Sequence, residues 1–147
     1  MTDVLDYSDE SGDLSARLAN IQQVADYITA NSAGRPVLVF GDTNTRYTRE
    51  ASTINIFKTQ NGLTDTWVQL EKGGVAPAQG ATADACGNPA ASLTCEVVDK
   101  VFYRAGTSPT VKLSATSFQY AGNMFLQANG SVLSDHNPLL VNFAWST

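Results

Sequence analysis

The sequence has 147 residues, and 43% of them are hydrophobic, which is enough for one domain with a substantial core. Nine basic residues stand against 14 acidic ones, and the net charge of −5 argues against a broad basic face for a nucleic-acid backbone. No apolar run approaches the roughly 18 residues of a membrane-spanning helix, and the residues after Met1 do not resemble a signal peptide.

Hydrophobic periodicity predicts a layered α/β unit. Apolar residues recur at helical spacing from Leu14 to Ile28, and Gly34 and Pro36 end this helix before an apolar strand begins at Val37. The helix should pack on the sheet, and the acidic residues before position 14 should form a solvated loop. The later elements are predicted to be an irregular helix over residues 49–59, an ambiguous stretch over 63–70, a long loop over 73–94, and strands over 97–103, 111–120 and 139–145. The last strand should present one covered face, formed by Leu139, Val141, Phe143 and Trp145.

The first strand is followed directly by polar residues. Residues 37–40 are apolar throughout, as in a buried strand, and Gly41-Asp42-Thr43-Asn44 comes next. Gly41 permits a tight turn, and Asp42 and Asn44 project to one side of an extended chain. The segment is therefore either an ordinary Gly-Asp turn or a loop that presents two functional side chains at the end of a strand.

The strand over residues 97–103 carries a carboxylate among apolar residues. Alternation places Asp99 on one face with the apolar residues at 97, 101 and 103, while Lys100 and Arg104 lie on the other face. A carboxylate in that position is costly unless a partner satisfies it, and a histidine is a suitable partner. An edge strand that turns Asp99 toward water is the alternative.

His136 is the single histidine of the sequence and lies in Ser134-Asp135-His136-Asn137-Pro138, directly before the last predicted strand. Three consecutive residues do not form a serine-hydrolase triad, because triad side chains converge from separate parts of a chain. The sequence also lacks a Gly-x-Ser-x-Gly turn. What remains is a carboxylate suited to a hard cation beside an imidazole that titrates near neutral pH, or else a solvated loop with an incidental histidine.

Together, the three segments resemble the motifs of the endonuclease/exonuclease/phosphatase superfamily, the deoxyribonuclease-I-like enzymes that hydrolyse phosphate esters with magnesium. Gly-Asp-x-Asn (41–44), Asp-x-hydrophobic-Phe (99–102) and Ser-Asp-His-x-Pro (134–138) follow the order of that family. The resemblance covers residues 14–145. It implies the C-terminal half of a four-layer α/β/β/α fold, a layered α/β sandwich with a mixed, largely antiparallel sheet. Residues 1–147 would then be one domain that lacks its N-terminal half.

The same resemblance assigns roles to individual residues. It implies that Asp42 orients or deprotonates the attacking water and that Asn44 hydrogen-bonds the scissile phosphate. His136 would stabilise the charge on that phosphate, while Asp99 holds the imidazole. Asp135, with Asp42, would bind the metal, which is expected to be Mg²⁺, with Mn²⁺ or Ca²⁺ as alternatives.

The resemblance therefore implies a metal-dependent hydrolase of phosphate esters, most simply a phosphodiesterase. A nuclease is an alternative within that interpretation, and a non-catalytic binding or structural module is the alternative outside it. The substrate stays open among DNA, a phosphoinositide, sphingomyelin and a smaller ester. In the family, the N-terminal half adds an Asn, a Glu and a second His, which have no counterpart in this sequence. We expect the isolated chain to be poorly active and its sheet to need cover from that half or from another chain.

Three large polar or aromatic side chains follow the Gly-Asp-Thr-Asn segment, namely Arg46, Tyr47 and Arg49. An arginine at this place is suited to clamp a phosphate, and Tyr47 is suited to stack on a substrate group. Ordinary surface positions near the start of a helix are the alternative.

Two features are typical of exported proteins. Cys86 and Cys95 are the two cysteines and flank a short loop with Gly and Pro that a disulfide would close, with two free thiols as the alternative. Asn129-Gly130-Ser131 is an N-glycosylation sequon. These features predict a secreted, extracellular protein.

Overall fold

The computed structural model describes residues 14–147. In chain order the elements are α1 (Leu14–Asn31), β1 (Val37–Asp42), α2 (Tyr47–Ile54), α3 (Ile56–Asn61), β2 (Thr64–Asp65), α4 (Thr66–Glu71), β3 (Asp99–Arg104), β4 (Gly106–Thr107), β5 (Thr110–Tyr120) and β6 (Leu139–Ser146), with a 3₁₀ turn at Gly122–Met124. The acidic segment before Leu14, predicted to be a solvated loop, lies outside the described residues.

The strands form two three-stranded sheets with antiparallel pairing and strand orders β1-β3-β2 and β4-β5-β6. The rings of Tyr103 in β3 and Phe143 in β6 join the two sheets, with centroids 5.3 Å apart. The predicted layered α/β fold with a largely antiparallel sheet is confirmed. None of the described helices is long and apolar enough to cross a membrane.

Helix α1 spans the predicted range, but its buried face differs in part from the prediction. The helix contributes three apolar side chains to the core, namely Ile21, Ala25 and Ile28. Leu14 and Leu18 are 47% and 45% exposed, whereas Arg17 is buried. The guanidinium of Arg17 pairs with Glu50 in α2, and this contact offsets part of the cost of removing both charges from water.

The irregular helix predicted over residues 49–59 is a pair of short helices, α2 and α3, that meet at Asn55. Ile54 and Phe57 from this pair are fully buried against the sheet. The ambiguous stretch that follows forms β2 and then α4. Asp65 caps α4, because its carboxylate accepts hydrogen bonds from the backbone N–H groups of Trp67 and Val68.

The pairing of β1 with β3 sets which face of the sheet is covered. Lys100 and Phe102 lie on the core face and are 2% and 1% exposed. Asp99 lies on the opposite face, together with Leu38 and Phe40 of β1, which are 49% and 77% exposed. The described residues therefore leave an apolar strip of this sheet face uncovered.

Strand β6 is covered along only part of its length. Leu139, Val141 and Phe143 are partly buried, as alternation predicts. Trp145 is 71% exposed, so its predicted place on the covered face is wrong: no layer of the described residues reaches the end of the strand. The predicted long loop before β3 is confirmed, since residues 72–98 contain no helix or strand apart from one isolated bridge.

Candidate functional site

Asp42 and Asp99 meet at one edge of the first sheet. Strand β1 ends at Asp42 and β3 begins at Asp99, and the antiparallel register makes the two residues direct cross-strand partners. Direct partners project from the same face of a sheet. Gly41, just before the end of β1, has a φ of 140°, which few residues with a side chain adopt.

The imidazole of His136 lies between these two carboxylates. Its Nδ1 is 2.9 Å from Asp99 Oδ2, and its Nε2 is 4.0 Å from Asp42 Oδ2. The hydrogen bond to Asp99 is the main cause that raises the pKa of His136 above its ordinary value of 6.5. Desolvation opposes this rise, and the charges of Asp99, Asp42 and Asp135 add to it. Asp99 holds Nδ1, and the side chain as a whole is 38% exposed.

The segment after β1 is tied down on one side and open on the other. Thr43 and Thr45 are buried and share a hydrogen bond of 2.7 Å between their hydroxyls, and Thr43 also donates to the carbonyl of Val98. Asn44 between them has a φ of 50°, and its N–H donates to Asp42 Oδ1 at 2.7 Å. Asparagine tolerates this left-handed conformation better than most residues. The threonines thus anchor the segment to the chain before β3, while Asp42 and Asn44 are partly exposed.

The backbone carbonyl of Asn44 accepts a hydrogen bond from a cluster of charged side chains. The guanidinium of Arg49 donates to the carbonyl of Asn44 and, at 2.5 Å, to Glu50 Oε1. Glu50 is 4% exposed and also accepts two hydrogen bonds from Arg17, at 3.1 and 3.0 Å. One buried carboxylate between two arginines therefore connects helix α1 to the loop. These contacts hold the Nε and Nη2 groups of Arg49 against protein groups.

Tyr47 is not available to a substrate. It is 3% exposed, its hydroxyl donates to Asp65 Oδ2 at 3.0 Å, and its ring stacks on Trp67. Burial raises the pKa of its hydroxyl well above the ordinary value. The prediction that Tyr47 stacks on a substrate group is therefore wrong, because core packing and the buried carboxylate hold the ring inside.

Arg46 lines the same cavity as His136. This cavity has a volume of about 170 Å³, and its walls also include Glu96, Asp99 and Asp135. Within residues 14–147, the Nε of Arg46 is buried without a hydrogen-bond partner. A buried donor without a partner is unfavourable, and the positive charge of Arg46 beside the cavity is suited to an anionic ligand.

Asp135 is exposed and lines the same cavity. No group of three or more His, Cys, Asp or Glu side chains within residues 14–147 is arranged to hold a metal ion. Magnesium usually takes one or two protein carboxylates and completes its six oxygen ligands with water and substrate. Asp135 and Asp42 meet only part of this need, so the described residues alone do not fit a complete metal site.

The predicted disulfide is confirmed. Cys86 and Cys95 are joined, with an S–S distance of 2.06 Å, and Cys86 lines the cavity beside His136. The glycosylation candidate Asn129 lies in an exposed turn, where its Oδ1 accepts from the N–H of Ser131.

Sequence patterns do not reveal the burial of two charged residues near the site. Glu96 and Lys100 are each 2% exposed, and Lys100 Nζ lies 3.5 Å from Glu96 Oε1 and over the ring of Tyr47. Burial lowers the pKa of Lys100, while the nearby carboxylates oppose that change. Glu96 also accepts from the N–H of Tyr47 and the hydroxyl of Thr48, so it fixes the start of α2 just behind the Asp42 loop.

The comparisons with known proteins point to one superfamily. The sphingomyelinases of Mycobacterium bovis and Mycobacterium tuberculosis are 45% identical to the chain over 125 residues, which is 85% of this chain and 24% of each relative. A crystal structure of humanized D. rerio TDP2 with 14 mutations has a TM-score of 0.58 and 21% identity, and the match covers 96% of this chain and 49% of that one. No protein-family model matches the chain.

The chain thus spans about a quarter of the length of the curated relatives it matches and about half of the TDP2 chain. The ordered motifs, the fold and the similarity to the sphingomyelinases agree with one another. The 45% identity to the sphingomyelinases and the fold shared with TDP2 support the resemblance to the endonuclease/exonuclease/phosphatase superfamily.

Proposed function

We propose that the chain is the half of a phosphodiesterase that carries the Asp99–His136 pair, and that the whole protein hydrolyses a phosphodiester by attack of water. The observation that carries this proposal is the position of His136, with Nδ1 bonded to Asp99 and Nε2 facing Asp42 at 4.0 Å. One imidazole nitrogen is fixed by a carboxylate and the other faces an open cavity, which is the arrangement needed to donate to an anion.

In this proposal, protonated His136 donates from Nε2 to a non-bridging oxygen of the phosphate. Asp99 keeps the ring oriented and raises the pKa of His136, so the cationic form persists to higher pH. A positive donor placed where charge grows on phosphorus stabilises the transition state more than the ground state.

Asp42 orients the attacking water and accepts its proton, while Asn44 hydrogen-bonds the phosphate. The oxygen of the water forms a bond to phosphorus as the bond to the leaving oxygen breaks, and a proton is returned to that leaving oxygen. Arg46 adds a further positive charge, because this residue lines the cavity beside His136.

We infer that the whole protein uses a divalent cation, with Mg²⁺ as the first choice and Mn²⁺ or Ca²⁺ as alternatives. Asp135 and Asp42 would contribute carboxylate oxygens, and donors outside residues 14–147 would complete the site.

The substrate we propose is a lipid phosphodiester of the sphingomyelin type. The mycobacterial relatives that are 45% identical are named sphingomyelinases. A nucleic acid is less well supported, because the net charge is −5 and binding of a nucleic-acid backbone needs a basic surface.

We also propose that the protein is extracellular and that its remaining half covers the open sheet face. The Cys86–Cys95 disulfide and the exposed sequon at Asn129 support secretion and glycosylation. The exposure of Leu38 and Phe40 supports a missing layer.

The test is hydrolysis by the whole protein of sphingomyelin in vesicles, of bis(p-nitrophenyl) phosphate and of DNA, with and without chelation of divalent cations. We expect turnover of the first two, and a loss on the order of 10² to 10⁴ in His136→Ala. Asp26→Asn is the matched control, since that carboxylate lies on α1 and bonds only to glutamines among the described contacts. Vesicle binding without turnover would instead support a non-catalytic module, and turnover of DNA alone would support a nuclease.

A further inference from the structure

We propose that the disulfide-closed loop of residues 86–95 holds the His136 loop, residues 134–138, in its catalytic position, and that Asn88 is the main positioning residue. This inference rests on the proposed function of His136. It concerns a residue that lies outside the three motifs and is 48 positions away from His136 in the chain.

Two asparagines connect the two loops. Asn88 Nδ2 donates to the carbonyl of Ser134 at 2.7 Å and lies 3.5 Å from the carbonyl of His136. In the opposite direction, Asn137 Nδ2 donates to the carbonyl of Gly87 at 2.8 Å, and its Oδ1 accepts from the N–H of Ala90 at 2.9 Å. Asn137 is 6% exposed. The side-chain amide of each asparagine therefore bonds to backbone groups of the opposite loop.

The disulfide-closed loop is itself fixed to the body of the protein at its far end. The carbonyl of Cys95 accepts from the hydroxyl of Tyr120 in β5 at 2.7 Å, and the carbonyl of Leu93 accepts from Trp67 Nε1 in α4 at 2.8 Å. Lys72 Nζ donates to the carbonyl of Thr94 at 3.0 Å. Because Cys86 is bonded to Cys95, the end of the loop that carries Asn88 is anchored through the same body contacts.

The His136 loop needs this support because it belongs to no helix or strand. Behind it, the carbonyl of Pro138 accepts from the N–H of Ala121 at 2.8 Å, which fixes only the end that enters β6. A displacement of about 1 Å in a positioned group is enough to lower a rate about a hundredfold. Asn88 holds the carbonyl of Ser134 and so limits movement of the imidazole away from Asp99.

A purely structural role for Asn88 would have a different signature. Its side chain lies in a surface loop outside the hydrophobic core, so its loss should change the melting temperature little. Loss of the Asn88 side chain should instead lower kcat and leave KM nearly unchanged, because the imidazole acts on charge that develops in the transition state.

The experiment compares Asn88→Ala and Asn88→Asp with Asn142→Ala in the whole protein. Asn88→Asp keeps the shape of the side chain but removes the donor. Asn142 is a matched control, since it is an exposed asparagine in β6 whose Nδ2 donates to Ser117 at 2.8 Å, away from the site. Hydrogen exchange of the backbone amides in residues 134–138 is measured first, because that measurement needs no activity.

We expect both Asn88 variants to raise exchange in residues 134–138 about fivefold to tenfold, the equilibrium effect of one hydrogen bond. With sphingomyelin vesicles, kcat should fall about tenfold or more while KM changes less than twofold. In a His136→Ala background, Asn88→Ala should cause no further loss of kcat. Exchange and kcat equal to those of Asn142→Ala would overturn the proposal. Raised exchange in a protein that hydrolyses none of the substrates would uphold the positioning role and reject the proposed function.

Discussion

Asp42 and Asp99 stand opposite each other in the pairing of β1 with β3, so two carboxylates occupy neighbouring positions on one face of the sheet. Like charges in direct cross-strand positions repel each other. His136 lies 2.9 Å from Asp99 and 4.0 Å from Asp42, so an imidazolium there offsets the repulsion. A protonated His136 should therefore stabilise the pairing of β1 with β3 at this end of the sheet.

The first prediction concerns the titration of His136. It is the single histidine of the sequence, so its imidazole gives one unambiguous NMR signal. We expect its pKa to lie above 6.5, because Asp99 accepts a hydrogen bond from the ring. Asp99→Asn should lower this pKa, and Asp135→Asn should lower it less, since Asp135 acts only through its charge.

The same shift predicts how stability depends on pH. A histidine whose pKa is higher in the folded state adds stability below its unfolded pKa, and that stability is lost as the pH rises through the folded pKa. The difference in unfolding free energy between the wild type and Asp99→Asn should therefore be largest between about pH 5 and 6.5, above the range in which Asp itself protonates. A difference that stayed constant to pH 9, or an unchanged imidazole pKa in Asp99→Asn, would contradict this account.

How far the sequence predicts this site depends on the range of the interactions. The apolar run of β1 and its polar end at Asp42 are local patterns, and they place Asp42 and Asn44 at the end of the strand. The expectation that Asp99 needs a histidine partner follows from the cost of leaving a carboxylate unsatisfied. The burial of Tyr47 is not predictable from local sequence, because its hydrogen-bond partner Asp65 lies 18 residues further along the chain.

The buried ion pair of Arg17 and Glu50 was not predictable for the same reason. The two residues are 33 positions apart, and Arg17 interrupts what otherwise resembles an ordinary apolar helix face. Periodicity shows which face of α1 is inward but not which charged residue satisfies a partner there. Contacts of this kind become visible only when α1 and α2 are packed together.

The second prediction concerns Glu50→Gln. Glu50 is buried and accepts hydrogen bonds from Arg17 and Arg49, and breaking a buried ion pair costs about 3 to 5 kcal/mol of unfolding free energy. Arg49 also loses the carboxylate that holds it against the carbonyl of Asn44, so kcat should fall beyond the effect of instability.

Two measurements separate these effects. Chemical denaturation gives the loss of stability, and assays well below the melting temperature give kcat. Glu71→Gln in α4 serves as the control because Glu71 lies away from the Arg17–Glu50 contacts. If Glu50→Gln retained full kcat at a temperature where it is fully folded, support of Asn44 through Arg49 would have no catalytic role.

The third prediction concerns the disulfide. Closure of the loop between Cys86 and Cys95 should contribute roughly 2 to 3 kcal/mol by loop-closure entropy. Replacing both cysteines by serine should lower stability by that amount and increase hydrogen exchange in the His136 loop, through release of Asn88. Mass spectrometry of the unreduced protein should show no alkylatable thiol; two modified cysteines would show that the bond does not form.

The last prediction concerns the open face of the first sheet. Leu38 and Phe40 are 49% and 77% exposed beside Asp99, and the chain spans 24% of the mycobacterial relatives and 49% of the TDP2 chain. We expect the rest of the whole protein to supply a layer that buries this strip. Burial of one large apolar side chain is worth about 1.5 to 3 kcal/mol, so Phe40→Asp should destabilise the whole protein by at least that much.

In residues 1–147 alone, the same substitution should instead reduce self-association, because it places a charge on an exposed apolar strip. Val75→Asp is the control, since Val75 is 74% exposed in the loop after α4. Residues 1–147 alone should also hydrolyse bis(p-nitrophenyl) phosphate poorly, and adding the rest of the protein should raise the rate, because no group of three or more His, Cys, Asp or Glu side chains among the described residues is arranged to hold a metal ion. Equal effects of Phe40→Asp and Val75→Asp on the whole protein would show that nothing covers the strip. Full activity of residues 1–147 without the other half would show that this chain supplies every group the reaction needs.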